Sequence, residues 1–561
     1  MTAKTRSHSA LLRLRGSVAR FRADESGVLA KPMIGTLISM LAIGGISMDI
    51  VRLERDRTHL QYTLDRAVLA AADLDQTLAP AAVVRDYMTK ADLADYYSTP
   101  TAEITPTSKR VSASVDANFD TMWMKLANYD SPLPLKAAAT AEEKIGNVEI
   151  SLVLDVSGSM SGNNRLVNLK SAAKEFIQTM ADNTEDGTLS ISIIPYSTQV
   201  SMPAAFIDQL NAPTPGGAGE ADYSYCLNFE NSDFYTTALS TTQPYERTMH
   251  FTIWDGSREY RQHDQLVRRA VCASHAQNPE RTAVLLEDDV QRLQDYIDDF
   301  RPSDNTSLDV GMKWGVALLD PSTRPVISNL TLGSDPLIAP SFADRPVSYT
   351  DTNTLKVVVL MTDGQNTEQY RIENGYRSGK SGVWYNPEEA VYSTYDQRNN
   401  RYYWHNAKRW SDHPYGAGRD RYYVCTYSSW YGCQSGYYAN ETGSAEELSF
   451  NALYAKSTLQ YVYYMFNDWM NQSQAAYKWY YDVFGSAGTS VKDSRTKAIC
   501  QAAKDQGIMV FTIGFEAPAA GKDVLLKCAS SDSHYYDVKG LEIADAFASI
   551  ASAIRQLRLT E

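Results

Sequence analysis

The hydrophobic pattern of the chain divides it before any motif is considered. From Leu29 to Met48 the residues LAKPMIGTLISMLAIGGISM carry no charge after Lys31. About 20 helical residues rising 1.5 Å each span a bilayer core of about 30 Å, so this stretch predicts a transmembrane helix, with Lys31 able to snorkel to the headgroups. Ile50, Leu53, Leu60, Leu64, Ala67 and Ala71 then recur near a 3.5-residue period, which predicts that one long helix continues out of the membrane. A cleaved secretory signal ending near Ala42-Ile43-Gly44 is the competing reading; its apolar region would be short and its basic region long. Val111, Ala113, Val115, Ala117 and Phe119 alternate with polar residues as in a half-buried strand, and LKAAATAEEK supplies a candidate partner. A long helix on a small sheet is a pilin-like α+β outline for residues 49–145.

From Val148 the period changes. The apolar strand VEISLVLDV precedes a helix in which Leu166, Leu169, Ala173, Phe176, Ile177 and Met180 share a face. LSISIIPYS, the helix SLDVGMKWGVALL, the strand LKVVVLMTDG, the helix SRTKAICQAAKDQ, the strand IMVFTIGF and the helix LEIADAFASIASAIRQL follow. Alternating strands and helices predict an α/β fold for residues 146–561, a doubly wound, mostly parallel sheet covered on both faces, with functional groups at the carboxyl ends of the strands. Two long insertions interrupt it, at about 201–300 and 366–490. The second is crowded with Tyr and Trp; its part RYYVCTYSSWYGCQSGYY reads as a disulfide-pinned loop and its later part as helical. Its aromatics fit either a recognition surface or the insertion's own core.

Charge and cysteines add topology. The net charge of -14 excludes a nucleic-acid binder, because phosphate neutralisation needs a basic surface. Lys4, Arg6, Arg13, Arg15, Arg20, Arg22 and Lys31 gather in and beside the segment 1–28, which predicts a cytoplasmic N-terminus, a span at 29–48 in the inner membrane, and the bulk of the chain in the periplasm or cell exterior. All six cysteines lie beyond the span, as an oxidising compartment favours. Sequence neighbourhood favours Cys226 with Cys272, Cys425 with Cys433, and Cys500 with Cys528.

Candidate chemistry sits at three strand ends. Asp155-Val156-Ser157-Gly158-Ser159 follows the first apolar strand, Thr306 stands just before a helix, and Asp363 ends LKVVVLMTD. Alternate residues of an extended loop face the same way, so Asp155, Ser157 and Ser159 can converge. Hydroxyls with two carboxylates suit a hard cation such as Mg²⁺, with Mn²⁺ or Ca²⁺ as substitutes. Asp155, at a loop on the rim of the sheet, is expected to be replaceable by Ala without loss of the fold.

These five residues resemble the metal-ion-dependent adhesion site of von Willebrand factor A (VWA) domains. The resemblance implies that the hydroxyls bind the metal directly, the carboxylates directly or through water, and that an acidic side chain of a protein partner completes the shell. Asp304-Asn305-Thr306 departs from the glycine-containing loop often found before the Thr. The segments ADESGVLA, LQYTLDRAVLAAA, DNTSLDVGMKWG and the C-terminal CASSDSHYYDV with LEIADAFASIASAIRQLRLT resemble TadG-like proteins of the Tad (tight adherence, Flp pilus) assembly family. That implies pilus-assembly subunits or a surface ligand as partner. Pro32 stands five residues after Gly27, where a processed prepilin would carry Glu, so no pilin-type cleavage is expected.

A free-standing VWA surface adhesin is the alternative. A serine-dependent hydrolase, with Ser157 or Ser159 as nucleophile and His534 or another His as base, is less favoured: no G-x-S-x-G elbow surrounds the serines. The chain therefore reads as a binding protein rather than an enzyme.

Overall fold

The computed structural model describes residue 23 and residues 30–73, 76–104, 108–127, 132–144, 146–184, 187–213, 224–249, 253, 271–272, 279–351 and 353–560. The basic segment 1–28 lies outside the described residues save for residue 23. Contacts divide the chain into two units, Met1–Ile145 and Gly146–Glu561.

In the first unit α1, Ala30–Ala72, is one continuous helix, and among the described residues it is the one long and apolar enough to cross a membrane. Its first fifteen residues are almost bare; burial begins at Gly45 and Asp49 and continues through Leu60, Leu64, Ala67, Val68 and Ala71. Leu60, Leu64, Ala67, Val68 and Ala71 form one stripe that packs on α2 (Pro80–Lys90) and on an antiparallel sheet of β1 (Thr101–Ile104), β2 (Ser108–Phe119) and β3 (Leu133–Lys144). The expected strand alternation is present: Val111, Ala113, Val115 and Ala117 of β2 face the helix.

The second unit is built on a six-stranded sheet. Its strands are β4 (Asn147–Asp155), β5 (Leu189–Tyr196), β6 (Val284–Glu287), β7 (Thr354–Thr362), β8 (Met509–Phe515) and β9 (Tyr535–Val538), in the order β9-β8-β7-β4-β5-β6. All neighbours pair in parallel except β6, which runs antiparallel to β5. The helices that flank this sheet include α3 (Arg165–Asp182), α4 (Val290–Asp298), α5 (Leu308–Ala317), α6 (Thr489–Asp505), α7 (Ala519–Cys528) and α8 (Glu542–Thr560).

Alternation along the strands sorts the core in two. Ile150, Leu152 and Leu154 of β4 with Val357, Val359 and Met361 of β7 pack on α3, α4 and α8. Val153, Val358, Leu360 and Val510 face α5, α6 and α7. Burial on both sides accounts for the near-continuous apolar strands. Helix α5 lies very close to the sheet: a Cβ on Gly315 would stand 2.5 Å from Val153 Cγ2, so only glycine permits that approach.

The structure redraws the insertions. β6 and α4, inside the stretch read as insertion up to about residue 300, belong to the main sheet and its helical layer. Beyond β7 a five-stranded antiparallel sheet runs from Lys380 to Ser449, and RYYVCTYSSWYGCQSGYY is a two-stranded ribbon, Arg421–Ser429 with Gly432–Asn440, rather than a loop. The two readings of its aromatics separate by position. Tyr454, Tyr461, Phe466 and Trp479 form a core of their own, whereas Tyr427, Trp430 and Tyr431 at the ribbon's tip are exposed. Three disulfides join Cys226 to Cys272, Cys425 to Cys433 and Cys500 to Cys528, as sequence neighbourhood suggested.

Candidate metal centre

Strands β4 and β7 are adjacent at the middle of the sheet, so their carboxyl ends deliver Asp155 and Asp363 side by side. Asp155 is fully buried. Its Oδ1 accepts the Ser157 backbone N–H at 2.7 Å and its Oδ2 accepts the Thr362 hydroxyl at 2.6 Å. After Ser157 the backbone turns into a single 3-10 turn, Gly158–Ser161, instead of the extended loop that the D-x-S-x-S spacing suggested. The hydroxyls converge nonetheless: Ser157 Oγ and Ser159 Oγ are 3.0 Å apart, and Ser159 Oγ donates to Asp363 Oδ1 at 2.6 Å.

Thr306 reaches the same place from the loop before α5. Its Oγ1 and that of Ser159 both stand within 4 Å of the point where a Cβ on Gly364 would lie. The Thr306 N–H donates to Thr367 Oγ1 at 2.9 Å and its carbonyl accepts the Thr367 N–H at 3.0 Å. Two further bonds tie this loop to the first one, from Gly158 N–H to the Asp304 carbonyl and from Ser303 N–H to the Val156 carbonyl, both 2.9 Å. The glycine-free Asp304-Asn305-Thr306 is accommodated because Asp304 itself takes the left-handed conformation, φ 67°, while Arg281 pairs with its carboxylate at 2.7 Å. Asp tolerates that region better than most residues.

Three participants escaped the sequence reading. Arg165, at the start of α3, donates to Asp363 Oδ2 at 2.8 Å and to Glu516 Oε2 at 3.0 Å. Thr362 bridges Asp155 to the backbone N–H of Gly364, 3.0 Å away. Arg165 and Glu516 lie 351 residues apart in sequence, and no local spacing announces such a pair.

The electrostatics follow from burial. Desolvation, and then the charge of Asp363, push the Asp155 carboxyl up to about 7 against hydrogen bonds that favour its ionised form. Arg165 holds the Glu516 carboxyl below its usual range. The donors are all oxygen, two carboxylates and three hydroxyls, and of the two carboxylates Arg165 pairs with that of Asp363. That set fits a hard divalent ion. Among the described residues no group of three or more His, Cys, Asp and Glu gathers as an alternative metal site.

Comparison with known proteins bears on the N-terminal helix. Residues 27–74 match the Flp pilus-assembly TadE/G-like (Tad) family. No curated protein matches the chain. Among solved structures, the vWF domain of the type V pili tip protein Mfa5 from Porphyromonas gingivalis aligns at 14% identity and TM-score 0.31, covering 74% of this chain and 97% of that one. The pilus adhesin SpaC from Lactobacillus rhamnosus GG aligns at 12% identity and TM-score 0.28, covering 82% of this chain and 33% of that one, so the chain spans about a third of its length. The adhesive tip pilin GBS104 from Group B Streptococcus agalactiae aligns at 12% identity and TM-score 0.28, over 73% of this chain and 100% of that one. With TM-scores this low, the three carry no argument about this chain.

Proposed function

We propose that this chain is a membrane-anchored protein-binding component of Tad/Flp pilus assembly and adhesion, whose second unit is a doubly wound VWA domain with a metal-ion-dependent adhesion site. The convergence of Asp155, Ser157, Ser159, Thr306 and Asp363 at the carboxyl ends of two adjacent central strands carries this reading. Those residues would hold Mg²⁺, or Mn²⁺ or Ca²⁺ in its place. The ion supplies a positive charge at which an acidic side chain of a protein partner can complete the shell. The match over residues 27–74 supports pilus-assembly subunits as partners and an inner-membrane anchor, with the second unit in the periplasm or cell exterior.

The chain's own residues do the positioning. Ser157 N–H and Thr362 fix the Asp155 carboxylate, Ser159 and Arg165 fix that of Asp363, and the Thr367 bonds fix the Thr306 backbone. Catalysis by the serines is disfavoured by where the hydroxyls point: Ser157 and Ser159 bond one another and Asp363, while His534 Nδ1 bonds Ser531 at 2.6 Å. The chain is read as a non-enzyme. A free-standing surface adhesin shares the site and differs in partner.

Calorimetric Mg²⁺ titration of the full chain in detergent, wild type beside Thr306→Ala and Asp155→Asn, tests the site. Loss of uptake in both variants together with loss of EDTA-sensitive co-purification with pilus-assembly subunits is expected. Equal uptake by all three proteins would remove the metal assignment; lost uptake with partner binding intact would make the ion structural.

A further inference from the structure

Residues 121–125, beyond the end of β2, fold back on α1. Asp49, the first charged residue after Lys31, is fully buried and accepts the backbone N–H groups of Trp123 and Met124 at 2.7 and 3.0 Å, with Arg52 at 3.7 Å. One turn earlier, Trp123 lies directly on Gly45: a Cβ there would stand 2.7 Å from the indole. One oxygen of the carboxylate, Oδ2, thus takes both backbone N–H groups where the helix passes from apolar to charged sequence, and the glycine lets an aromatic ring sit against the last turn of the apolar run. Gly45 precedes Asp49 by about 6 Å of helix. Counting Ala30 to Met48 as the span, that places the Trp123 contact just inside the edge of the hydrocarbon. On the same turn Met122 is 67% exposed and Trp123 39% exposed, with Lys125 exposed beside them. An apolar pair flanked by a lysine, continuous with a bare apolar helix, has the chemistry of the headgroup boundary, where tryptophan concentrates and lysine reaches outward.

We infer that the turn Thr121–Lys125 is an interfacial foot: Met122 and Trp123 insert at the headgroup–acyl boundary of the bilayer that α1 crosses, and so set how deeply the first unit seats on the membrane. The inference rests on the membrane-anchor reading of α1. The family match over residues 27–74 does not bear on it, because the foot lies outside the matched segment.

All six cysteines are paired, so a substituted cysteine is a unique label site. Full-length chains carrying Met122→Cys, Met40→Cys or Val167→Cys, each labelled with a nitroxide, are reconstituted in phosphatidylcholine–phosphatidylglycerol vesicles, and collision with oxygen is compared with collision with a water-soluble nickel chelate. Met40, exposed on the apolar run, and Val167, exposed on the second unit, supply the deep and aqueous references. The expected result is an intermediate depth at position 122, at the level of the headgroups, moving toward water when Gly45→Leu displaces Trp123. A deep label at 40 with an aqueous label at 122 overturns the foot while leaving the anchor; aqueous labels at both overturn the anchor as well. Dipolar broadening between labels at 122 would show a second copy on this surface and overturn the lipid assignment.

Discussion

At the scale of single residues, Asp155 has two opposing demands on it. Its burial and its proximity to Asp363 favour the protonated acid, whereas a bound cation needs the carboxylate. Its pKa stands above the unfolded value of 3.8, so the metal-free protein loses stability as pH rises from about 4 through about 7. Asp155→Asn keeps an acceptor for the Ser157 N–H and offers its amide to Thr362 while removing the charge. The variant is expected to melt higher than wild type at pH 8 without metal, to show no such advantage at pH 4, and to gain nothing from Mg²⁺, whereas Mg²⁺ raises the wild-type melting temperature at pH 8. Identical pH slopes and identical Mg²⁺ responses in thermal scans would refute this. The same burial corrects the expectation for Asp155→Ala: that change strands the Thr362 hydroxyl and the Ser157 N–H in the interior, at about 1–3 kcal/mol for each group left unsatisfied. All five candidate oxygen donors were legible in the sequence, since each follows an apolar strand or precedes a helix. Arg165, Thr362 and Glu516 were not, because what unites them is the sheet order and not any spacing along the chain.

At the scale of elements, strands buried on both faces announce themselves as continuous apolar runs, which is why β4, β5, β7 and β8 were readable. β6 is four residues long, β9 has half-buried and exposed positions, and neither stands out from a polar neighbourhood. The ribbon 421–440 was hidden for a different reason. It has one face on Trp404 and Tyr415 and the other in solvent, yet carries tyrosines on both, so no contrast between faces marks its strands. Between α6 and α7, by contrast, the Cys500–Cys528 bridge ties two helices of the same layer across β8. Closing a loop of this length is worth about 3–4 kcal/mol in the chain-entropy account. The paired substitution Cys500→Ala with Cys528→Ala is expected to lower unfolding free energy by roughly 2–4 kcal/mol in urea titration. An unchanged midpoint and slope would show that the bridge constrains nothing that the packing of α6 and α7 does not already hold.

At the scale of the whole molecule, the predicted topology puts the basic N-terminus in the cytoplasm and everything after α1 across the membrane. Reporters active on one side only, fused after Arg22 and after Lys144, check it: activity in the cytoplasm for the first and outside it for the second is expected, and a cytoplasmic signal from the Lys144 fusion would overturn the orientation. The outline of the first unit was visible in its alternating β2 and in the stripe along α1. The division of labour within the second insertion was not, since a Tyr-rich segment has the same composition whether its rings meet one another or meet solvent.

The unbroken helix α1 has a mechanical consequence. From Ala30 to Ala72 it is about 65 Å long and contains no proline after Pro32, and the ring of Trp123 is seated on Gly45 of its Gly44-Gly45 pair, so if its first part lies in the bilayer the one place where it could bend between the anchor and the head of the first unit is braced. Tension applied to that head travels along a backbone whose hydrogen bonds lie parallel to the pull. The weak point under load is then withdrawal of the apolar end from lipid, and the strength of attachment is set by the length of that end.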